Sequence, residues 1–366
     1  MRVGIDTLDF AALRRKRVGL LSHQAALARG GADSASLLHA KLGRKLVALF
    51  GPEHGFFGQA GAGEHTAEGI HPDWGIPVHS LYGEHRKPTP AMLKGIDVLV
   101  CDLQDIGVRC YTYLATLKNV LEACAENGIE VIVADRPVPH RSSDGPMLDP
   151  RFTGFVAPLN VPMVHAMTPC GIARFIRHHL LPELKLTCAD LRGARGKGWE
   201  RPADAPSFIP PSPGIRSWET ALVYPATVFC EALPQIDCGR GNNMAFRVFS
   251  VPGVSGSDLC RTLNGCGIEG AAFYPYYYEK EGARIAVTDA AAFRPVAVSV
   301  AILAALREFD PDLWNRDGVR REWFDKLYGT DAVRLALEAG ESAAAIAESW
   351  KGGLNEFRAA LEAAQK

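Results

Sequence analysis

The chain has 366 residues, a length that favours two domains; 47 % of its residues are apolar and 22 % are charged. This globular composition excludes a mainly disordered, collagen-like or coiled-coil chain. Forty basic residues balance 41 acidic ones, so no field of one sign favours nucleic acid as a partner. No apolar stretch reaches the roughly 20 residues of a membrane span. Nine cysteines without C-x-x-C spacing, and an N-terminus without a recognisable secretory signal, predict reduced thiols and a cytoplasmic location.

Short apolar runs alternate with helical patterns through the first third of the chain. Amphipathic spacing predicts a helix at 33–42, capped by Asp33 or Ser34, and another at 112–127 that stops at Gly128. The apolar runs predict buried strands at 17–22, 46–50, 97–102 and 130–135. Continuous apolar strands separated by helices indicate an α/β fold with a mostly parallel sheet covered on both faces.

The second half of the chain has a different pattern. A proline-rich stretch at 202–213 predicts a crossover or a linker, and a smaller α/β unit follows it. We therefore expect a main domain at 1–210 and a smaller domain at 211–366 that closes a cleft. The smaller unit is predicted to hold strands at 274–278 and 284–288, a buried helix at 296–309, amphipathic helices at 331–338 and 342–350, and an Ala- and Glu-rich terminal helix at 344–366.

Polar clusters follow three of the predicted strands. The carboxyl ends of parallel strands meet at one edge of a sheet, where the ligand crevice of such folds lies. The pattern therefore predicts one site built from segments that are far apart in sequence. Its candidate residues are Glu53 and His54 after the second strand, Asp102, Gln104 and Asp105 after the third, and Asp135 and Arg136 after the fourth.

Two segments beside these strand ends suggest further ligand contacts. The glycine-rich stretch 58–64 lacks the G-x-G-x-x-G spacing of a dinucleotide site, so we expect it to line the crevice, and we expect no cofactor. Arg109 would grip a ligand carboxylate, or else pair internally with Asp102 or Asp105. Tyr111 and Tyr113 lie close by in sequence and offer phenol groups to a polyhydroxylated ligand.

Other candidates lie further along the chain or admit a second interpretation. His165 stands alone in apolar company, and Glu231 and Arg240 begin the second unit near a Gly-Arg-Gly loop. A different interpretation is a metal site, since five histidines fall in one short segment; its ligands would be His54, His65 and Asp73. That segment lacks the H-x-x-x-H spacing of a helical zinc site, so we expect no metal.

The motifs together resemble a bacterial family of exo-β-N-acetylmuramidases, formerly a domain of unknown function. Two blocks carry most of the resemblance, Pro-Glu-His-Gly at 52–55 and the Asp-Leu-Gln-Asp-Ile-Gly-Val-Arg-Cys-Tyr-Thr-Tyr run at 102–113. Weaker matches run in order over essentially the whole chain, at 77–83, 86–88, 135–137, 165–168, 211–213, 222–225, 231 and 239–241. The resemblance implies a Rossmann-like first domain, a smaller α/β second domain and a cleft between them.

Three departures from the family pattern are visible. Val138 stands where the family has Asn, and Ala166 stands where it has Gly. The segment 231–242 keeps Glu231 and Arg240 but lacks the Thr-Asn and Ser of the family motif. Because those missing groups are polar and would face the cleft, the accepted substrate or the activity is expected to differ from the family type.

The resemblance implies hydrolysis of a small carbohydrate or muropeptide, with release of N-acetylmuramic acid. We expect Glu53 to be the general acid, in surroundings made apolar by nearby phenylalanines. Glu231 or Asp105 would be base or nucleophile, unless the substrate's acetamido group takes that part. Arg109 or Arg240 would hold the lactyl carboxylate. The alternatives are a metal-assisted hydrolase, a sugar-binding protein without catalysis and, more remotely, a nicotinamide-dependent oxidoreductase.

Overall fold

The computed structural model describes residues 1–193 and 206–365. Its first part is built on a sheet of seven strands: β1 (Val18–Leu21), β2 (Leu46–Gly51), β3 (Gly69–Ile70), β4 (Pro77–Ser80), β5 (Val98–Cys101), β6 (Glu130–Ala134) and β7 (Leu186–Ala189). Their order across the sheet is β3-β4-β2-β1-β5-β6-β7, and every pair is parallel except β3 with β4. The six parallel strands thus follow the strand order of Rossmann-type sheets.

Helices cover both faces of this sheet. The strands alternate their side chains between two cores, so that Leu20 belongs to one apolar cluster and its neighbour Leu21 to the other. The helices of this part are α1 (Phe10–Leu13), α2 (Ser34–Leu42), α3 (Pro90–Leu93), α4 (Tyr113–Glu126) and α5 (Pro169–His179). Leu13 and Leu38 place α1 and α2 on one face, and Met92, Leu117 and Ile172 place the others on the opposite face.

The second part combines helices with a small antiparallel sheet. Its strands β8 (Val248–Phe249), β9 (Ala271–Tyr276) and β10 (Gly282–Val287) are arranged in the order β8-β10-β9. Its helices are α6 (Trp218–Thr227), α7 (Gly256–Gly265), α8 (Pro295–Phe309), α9 (Arg321–Tyr328), α10 (Ala332–Ala339), α11 (Ala343–Ser349) and α12 (Lys351–Gln365). Helix α8 is buried on nearly every side, as its apolar sequence predicts.

The structure confirms the predicted fold class and most of the predicted elements. The four predicted strands of the first part are β1, β2, β5 and β6, and the Asp33 carboxylate caps α2 by accepting the Ser36 N–H at 2.8 Å. The prediction of one helix over 344–366 is wrong, because the helical structure is interrupted at Trp350, between α11 and α12. Residues 202–205 of the predicted linker lie outside the described residues, and 206–213 contain neither helix nor strand.

The two parts share one continuous core. Side chains of α4 and α5 belong to the same apolar cluster as those of α6, α8 and α9. Polar contacts also join them at the carboxyl edge of the large sheet, where the Tyr113 hydroxyl donates to the Pro211 carbonyl at 2.6 Å. The carboxyl edge of the large sheet is therefore covered by the second part of the chain.

Within the described residues, no helix combines the length and apolarity needed to cross a membrane.

Candidate active site

Glu53 leaves the carboxyl end of β2 in a tight turn. His54 and Gly55 both have positive φ angles, 73° and 83°, and the left-handed conformation of His54 is unusual for a residue with a side chain. The His54 ring is held at Nδ1, which lies 3.1 Å from the Ala60 carbonyl oxygen. This turn directs the Glu53 side chain to the edge of the sheet, where it is 8 % exposed.

The Glu53 carboxylate accepts hydrogen bonds from three different segments. The Gly63 N–H donates to Oε1 at 2.8 Å, so the glycine-rich loop lines the crevice as expected. The Thr112 hydroxyl, at the start of α4, donates to Oε2 at 2.6 Å. The Tyr82 hydroxyl, which follows β4, also bonds to the Glu53 side chain. These donors fix the carboxylate in one orientation.

Glu231, on the second part of the chain, lies within electrostatic reach of Glu53. It ends a short 3₁₀ turn at Val228–Glu231. Burial raises the pKa of Glu231 above its usual range, and the negative charge of Glu53 raises it further. The Arg240 guanidinium, 3.7 Å from Glu231 Oε1, acts in the opposite direction. The two carboxyl groups therefore share one electrostatic environment although 178 positions separate them in sequence.

Further contacts complete the surroundings of Glu231. The Trp323 side chain bonds to its carboxyl group, and the Arg320 guanidinium donates to its backbone carbonyl. On the Glu53 side, the Tyr82 ring lies 5.7 Å from the Phe155 ring, and Arg86 stacks over both at 5.3 Å and 4.3 Å. The site thus has an aromatic wall on one side and a cationic rim.

Asp102 and Arg136 form an ion pair in the interior. Their side chains are 0 % and 3 % exposed, and the guanidinium makes two hydrogen bonds to the carboxylate. The Ser34 hydroxyl donates to the same carboxylate, and Arg136 also donates to the Leu27 carbonyl at 3.0 Å. The sequence predicted both residues as ligand contacts, but their polar atoms are used inside the protein.

Arg109 neither lines the cleft nor pairs with Asp102 or Asp105, so both expectations for it are wrong. Its side chain is completely buried and donates to the backbone carbonyls of Pro146, Val161 and Tyr328. In the described part of the chain, no carboxylate lies within ion-pair distance of it. The predicted roles fail because loop carbonyls from both parts of the chain accept hydrogen bonds from its two terminal nitrogens, while its buried Nε has no partner among the residues described. Arg109 instead joins those parts.

Asp105 and Asp135 are also held in internal contacts. Asp105 accepts the Gly107 N–H at 2.6 Å, and burial raises the pKa of this carboxyl to about 7. Asp135 accepts the Cys170 N–H at 3.0 Å, at the start of α5, and burial raises its pKa as well. Both carboxyl groups are therefore used in local hydrogen bonds at the edge of the sheet.

The other predicted contacts pack behind the cleft. Gln104 donates to the carbonyls of Asp105 and Pro137 at 3.0 Å and 2.9 Å. The rings of Tyr111 and Tyr113 lie 4.7 Å apart. His165 accepts the Met167 N–H at 3.1 Å, and burial lowers the pKa of this imidazole to about 3. These side chains therefore make internal contacts beside the site.

The histidine-rich segment does not gather into a ligand set. His71 stacks on Trp74 at 3.8 Å, and His65 packs edge-on against Tyr82 at 6.2 Å. Across the described ranges, the side chains that converge within 4.8 Å as a possible metal group are Asp135, Cys170 and Asp190. None of the histidines and neither catalytic candidate belongs to that group. The ligand set of the alternative metal interpretation, His54, His65 and Asp73, is therefore not assembled in the described part of the chain.

Three side chains that bond to the two carboxyl groups were not among the predicted site residues. Tyr82 and Thr112 lie inside sequence blocks that carry the family resemblance, and that position was the signal available for them. Trp323 lies in α9, outside every such block, and the sequence gives no signal for it. Of the predicted residues, the structure brings together Glu53, Glu231 and Arg240.

Comparison with known proteins gives consistent matches along the whole chain. The N-terminal domain of exo-beta-N-acetylmuramidase NamZ matches residues 18–219, and the C-terminal domain matches residues 222–364. The peptidoglycan beta-N-acetylmuramidase NamZ of Bacillus subtilis is 34 % identical over 376 aligned positions, which cover 98 % of this chain and 89 % of that protein.

Solved structures agree with these sequence matches. A DUF1343 family protein from Bacteroides fragilis superposes with a TM-score of 0.87 at 29 % identity, covering 99 % of this chain and 97 % of its own. A second protein of that family and organism gives a TM-score of 0.76 at 26 % identity, covering 99 % and 98 %. Sequence and structure therefore place the chain in the exo-beta-N-acetylmuramidase NamZ family.

Proposed function

We propose that this protein is a glycoside hydrolase that releases terminal N-acetylmuramic acid from peptidoglycan fragments. One observation carries the proposal: Glu53 and Glu231 belong to different parts of the chain and come close enough for the charge of Glu53 to raise the pKa of Glu231. Glycosidases use two carboxyl groups beside the scissile bond, one protonated and one ionised. Two coupled carboxyl groups with different surroundings meet that requirement.

The surroundings favour Glu231 as the general acid. Its raised pKa keeps a proton available for the glycosidic oxygen. Glu53, held by Gly63, Thr112 and Tyr82, then supplies negative charge beside the anomeric carbon as positive charge develops there. This assignment exchanges the roles expected from the sequence, where Glu53 is the acid. Both assignments use the same pair, and experiment separates them.

Recognition of muramic acid requires a cation for the lactyl carboxylate. Because Arg109 is buried, Arg240 is the remaining one of the two cations that the sequence suggested. Its side chain is 46 % exposed and its guanidinium lies 3.7 Å from Glu231. An arginine can bind a carboxylate through two parallel hydrogen bonds. We assign the lactyl group to Arg240, at the rim of the cleft beside the acid.

The decisive assay compares two aryl β-glycosides, an N-acetylmuraminide and an N-acetylglucosaminide. Wild-type protein is expected to hydrolyse the muraminide preferentially, and Glu53→Gln and Glu231→Gln are each expected to lose most of that activity. Glu84→Gln is the matched control, because Glu84 lies in the same half of the chain with a side chain that is 89 % exposed. Binding of the muraminide without turnover by folded wild-type protein would replace this proposal with the sugar-binding alternative.

The leaving group separates the two carboxyl roles. A highly acidic phenol departs without protonation, so it reduces the need for a general acid. Glu231→Gln should therefore recover much of its activity on a dinitrophenyl muraminide, whereas Glu53→Gln should not. Recovery by Glu53→Gln alone would restore the roles expected from the sequence.

We also propose that the protein acts in the cytoplasm, on cell-wall fragments that are salvaged there. All nine cysteines are free, and seven of them are buried, as is usual for proteins of reducing compartments. A further proposal is that residues 1–210 and 211–366 are the two domains. Fractionation of cells that produce the full chain tests the location. Limited proteolysis that yields stable fragments cut near residue 210 tests the domain boundary.

A further inference from the structure

The small antiparallel sheet has two different faces. Phe273 and Ile285 point into the core and are 2 % and 0 % exposed. Tyr274 projects from the opposite face, because successive residues of a strand alternate, and it is 47 % exposed. Tyr277 and Tyr278 follow at the hairpin and are each 65 % exposed. Large aromatic rings are therefore exposed on the outer face of this sheet and at its hairpin end.

This concentration is unusual for the molecule. Among the described residues, eight large hydrophobic side chains are 38 % or more exposed. Three of them are these tyrosines, which lie within five positions of one another. Single exposed hydrophobic residues are ordinary, whereas a contiguous exposed patch marks a binding surface. We call the surface formed by Tyr274, Tyr276, Tyr277 and Tyr278 the tyrosine face.

Two rings of the tyrosine face, those of Tyr274 and Tyr277, are held in place before any ligand binds. The Tyr277 hydroxyl lies 2.9 Å from the Ser257 hydroxyl. The Arg284 guanidinium, on the adjacent strand β10, stacks 5.5 Å from the centre of the Tyr274 ring. Side chains that are already ordered lose little conformational entropy on binding. The surface is therefore preorganised and carries a cation next to an aromatic ring.

The tyrosine face continues into the candidate active site. The Asn242 amide lies 3.5 Å from the Tyr276 hydroxyl and 3.2 Å from Glu279 Oε2. Asn242 belongs to the same turn as Arg240, whose guanidinium lies 3.7 Å from Glu231. Two contacts thus connect the tyrosine face to the carboxyl group that we assign as the acid.

We propose that the tyrosine face binds sugar rings of the glycan on the far side of the cleaved bond, which deepens the proposed function and rests on it. Sugar rings have apolar C–H faces that pack on aromatic rings and hydroxyl groups that bond to phenols and amides. Arg284 provides a positive charge for the carboxylate of a further muramic acid. A surface of this chemistry lengthens the substrate that the enzyme holds without taking part in bond cleavage.

The test uses the full-length protein with Tyr274→Ala and Tyr278→Ala, and Leu335→Ala as the control. Leu335 is 49 % exposed on α10, so its truncation removes similar exposed apolar area elsewhere. Each tyrosine variant should raise KM for a peptidoglycan tetrasaccharide about two- to tenfold, the usual contribution of one stacked ring. KM for the aryl muraminide should stay unchanged, and Tyr274→Trp should restore tetrasaccharide binding.

A second measurement does not depend on turnover. Calorimetric titration of N-acetylglucosamine tetrasaccharide into Glu53→Gln should show binding that weakens when Tyr274→Ala is added. Equal KM changes on short and long substrates, or none on either, would overturn the inference while leaving the hydrolase proposal intact. A lower molar mass in solution for the tyrosine variants would show that a second copy of the chain covers the face. If wild-type protein hydrolyses nothing, the hydrolase proposal fails, and absence of tetrasaccharide binding would then remove this inference too.

Discussion

Strand β5 offers a matched pair of ion pairs, one buried and one exposed. Asp97 precedes the strand and bonds to Arg17, with side chains that are 41 % and 54 % exposed. Asp102 follows the strand and bonds to Arg136 with the same two-pronged geometry, but those side chains are 0 % and 3 % exposed. We therefore compare Asp102→Asn with Asp97→Asn, which remove one negative charge at either end of the same strand.

The buried substitution should be the costly one. Asp102→Asn leaves the Arg136 guanidinium in the interior without a counter-charge and weakens the contact with Ser34. Breaking a buried ion pair on one side typically destabilises a protein by about 3–5 kcal/mol, and whole proteins are stable by only about 5–15 kcal/mol. Asp97→Asn should leave the free energy of unfolding within experimental error of the wild type, because water replaces the lost contact.

Urea unfolding followed by circular dichroism measures the free energy of unfolding of both variants. Steady-state kinetics on the folded variants shows whether Asp102 contributes to substrate binding. The expected result is a much lower unfolding midpoint for Asp102→Asn alone, with KM for the muraminide unchanged below that transition. An Asp102→Asn protein as stable as the wild type but with a raised KM would refute the reasoning. Asp102 would then be a substrate ligand, as the sequence suggested.

Four further outcomes are expected. Each of three buried histidines should lower the free energy of unfolding by about 1.4 kcal/mol per pH unit below about 6.5, since burial lowers the histidine pKa to about 3 while the unfolded chain takes up protons, and Asp105, whose pKa burial raises to about 7, should offset one of these contributions; urea midpoints at pH 7.5, 6.0 and 5.0 check the net loss from His23, His140 and His165. Asp105→Asn should be about 1–4 kcal/mol more stable than the wild type at pH 8. The reason is that burial raises the pKa of Asp105 to about 7, so ionisation of this carboxyl costs free energy only in the folded state. In the same urea assay, the difference between the two proteins should vanish below about pH 4. Thr112→Val should lower kcat/KM about tenfold or more while Thr112→Ser lowers it little, since only the hydroxyl bonds to Glu53; muraminide kinetics decide. Ala166→Gly should raise the melting temperature slightly. A φ of 56° strains alanine by about 1–2 kcal/mol, which exceeds the cost of the extra conformational entropy that glycine gives the unfolded chain. A lower melting temperature in calorimetry would contradict this.

The sequence predicted the large sheet well because its central strands are continuous apolar runs. β1, β2, β5 and β6 are such runs, and their alternating residues fill the two cores. The edge strand β7 escaped prediction because its residues are partly exposed and include Thr187. Strand β4, Pro-Val-His-Ser, has a single aliphatic residue among its four. Position in the sheet, which local sequence does not encode, explains both omissions.

The candidate site was predictable only in outline. The rule that polar residues cluster at strand ends located Glu53, and the family motif located Glu231 and Arg240. Asp102 and Arg109 have the same chemistry as ligand-binding residues, but burial assigns them to internal contacts. The distinction depends on which carbonyls and carboxylates the folded chain brings within reach. That information lies in tertiary packing and not in local spacing.

The internal ion pair also explains where the site lies. In sheets with this strand order, ligands bind where the order reverses, here between β1 and β5. Asp102, Arg136 and Ser34 fill that position with a closed set of hydrogen bonds. The position available for a ligand is therefore displaced along the carboxyl edge of the sheet towards β2 and β4, which Glu53 and Tyr82 follow. A sheet edge alone offers one carboxylate there, so the second part of the chain must supply the other. The proposed catalytic pair consequently requires both parts to hold their relative position, and the buried contacts of Arg109 with Val161 and Tyr328 maintain it.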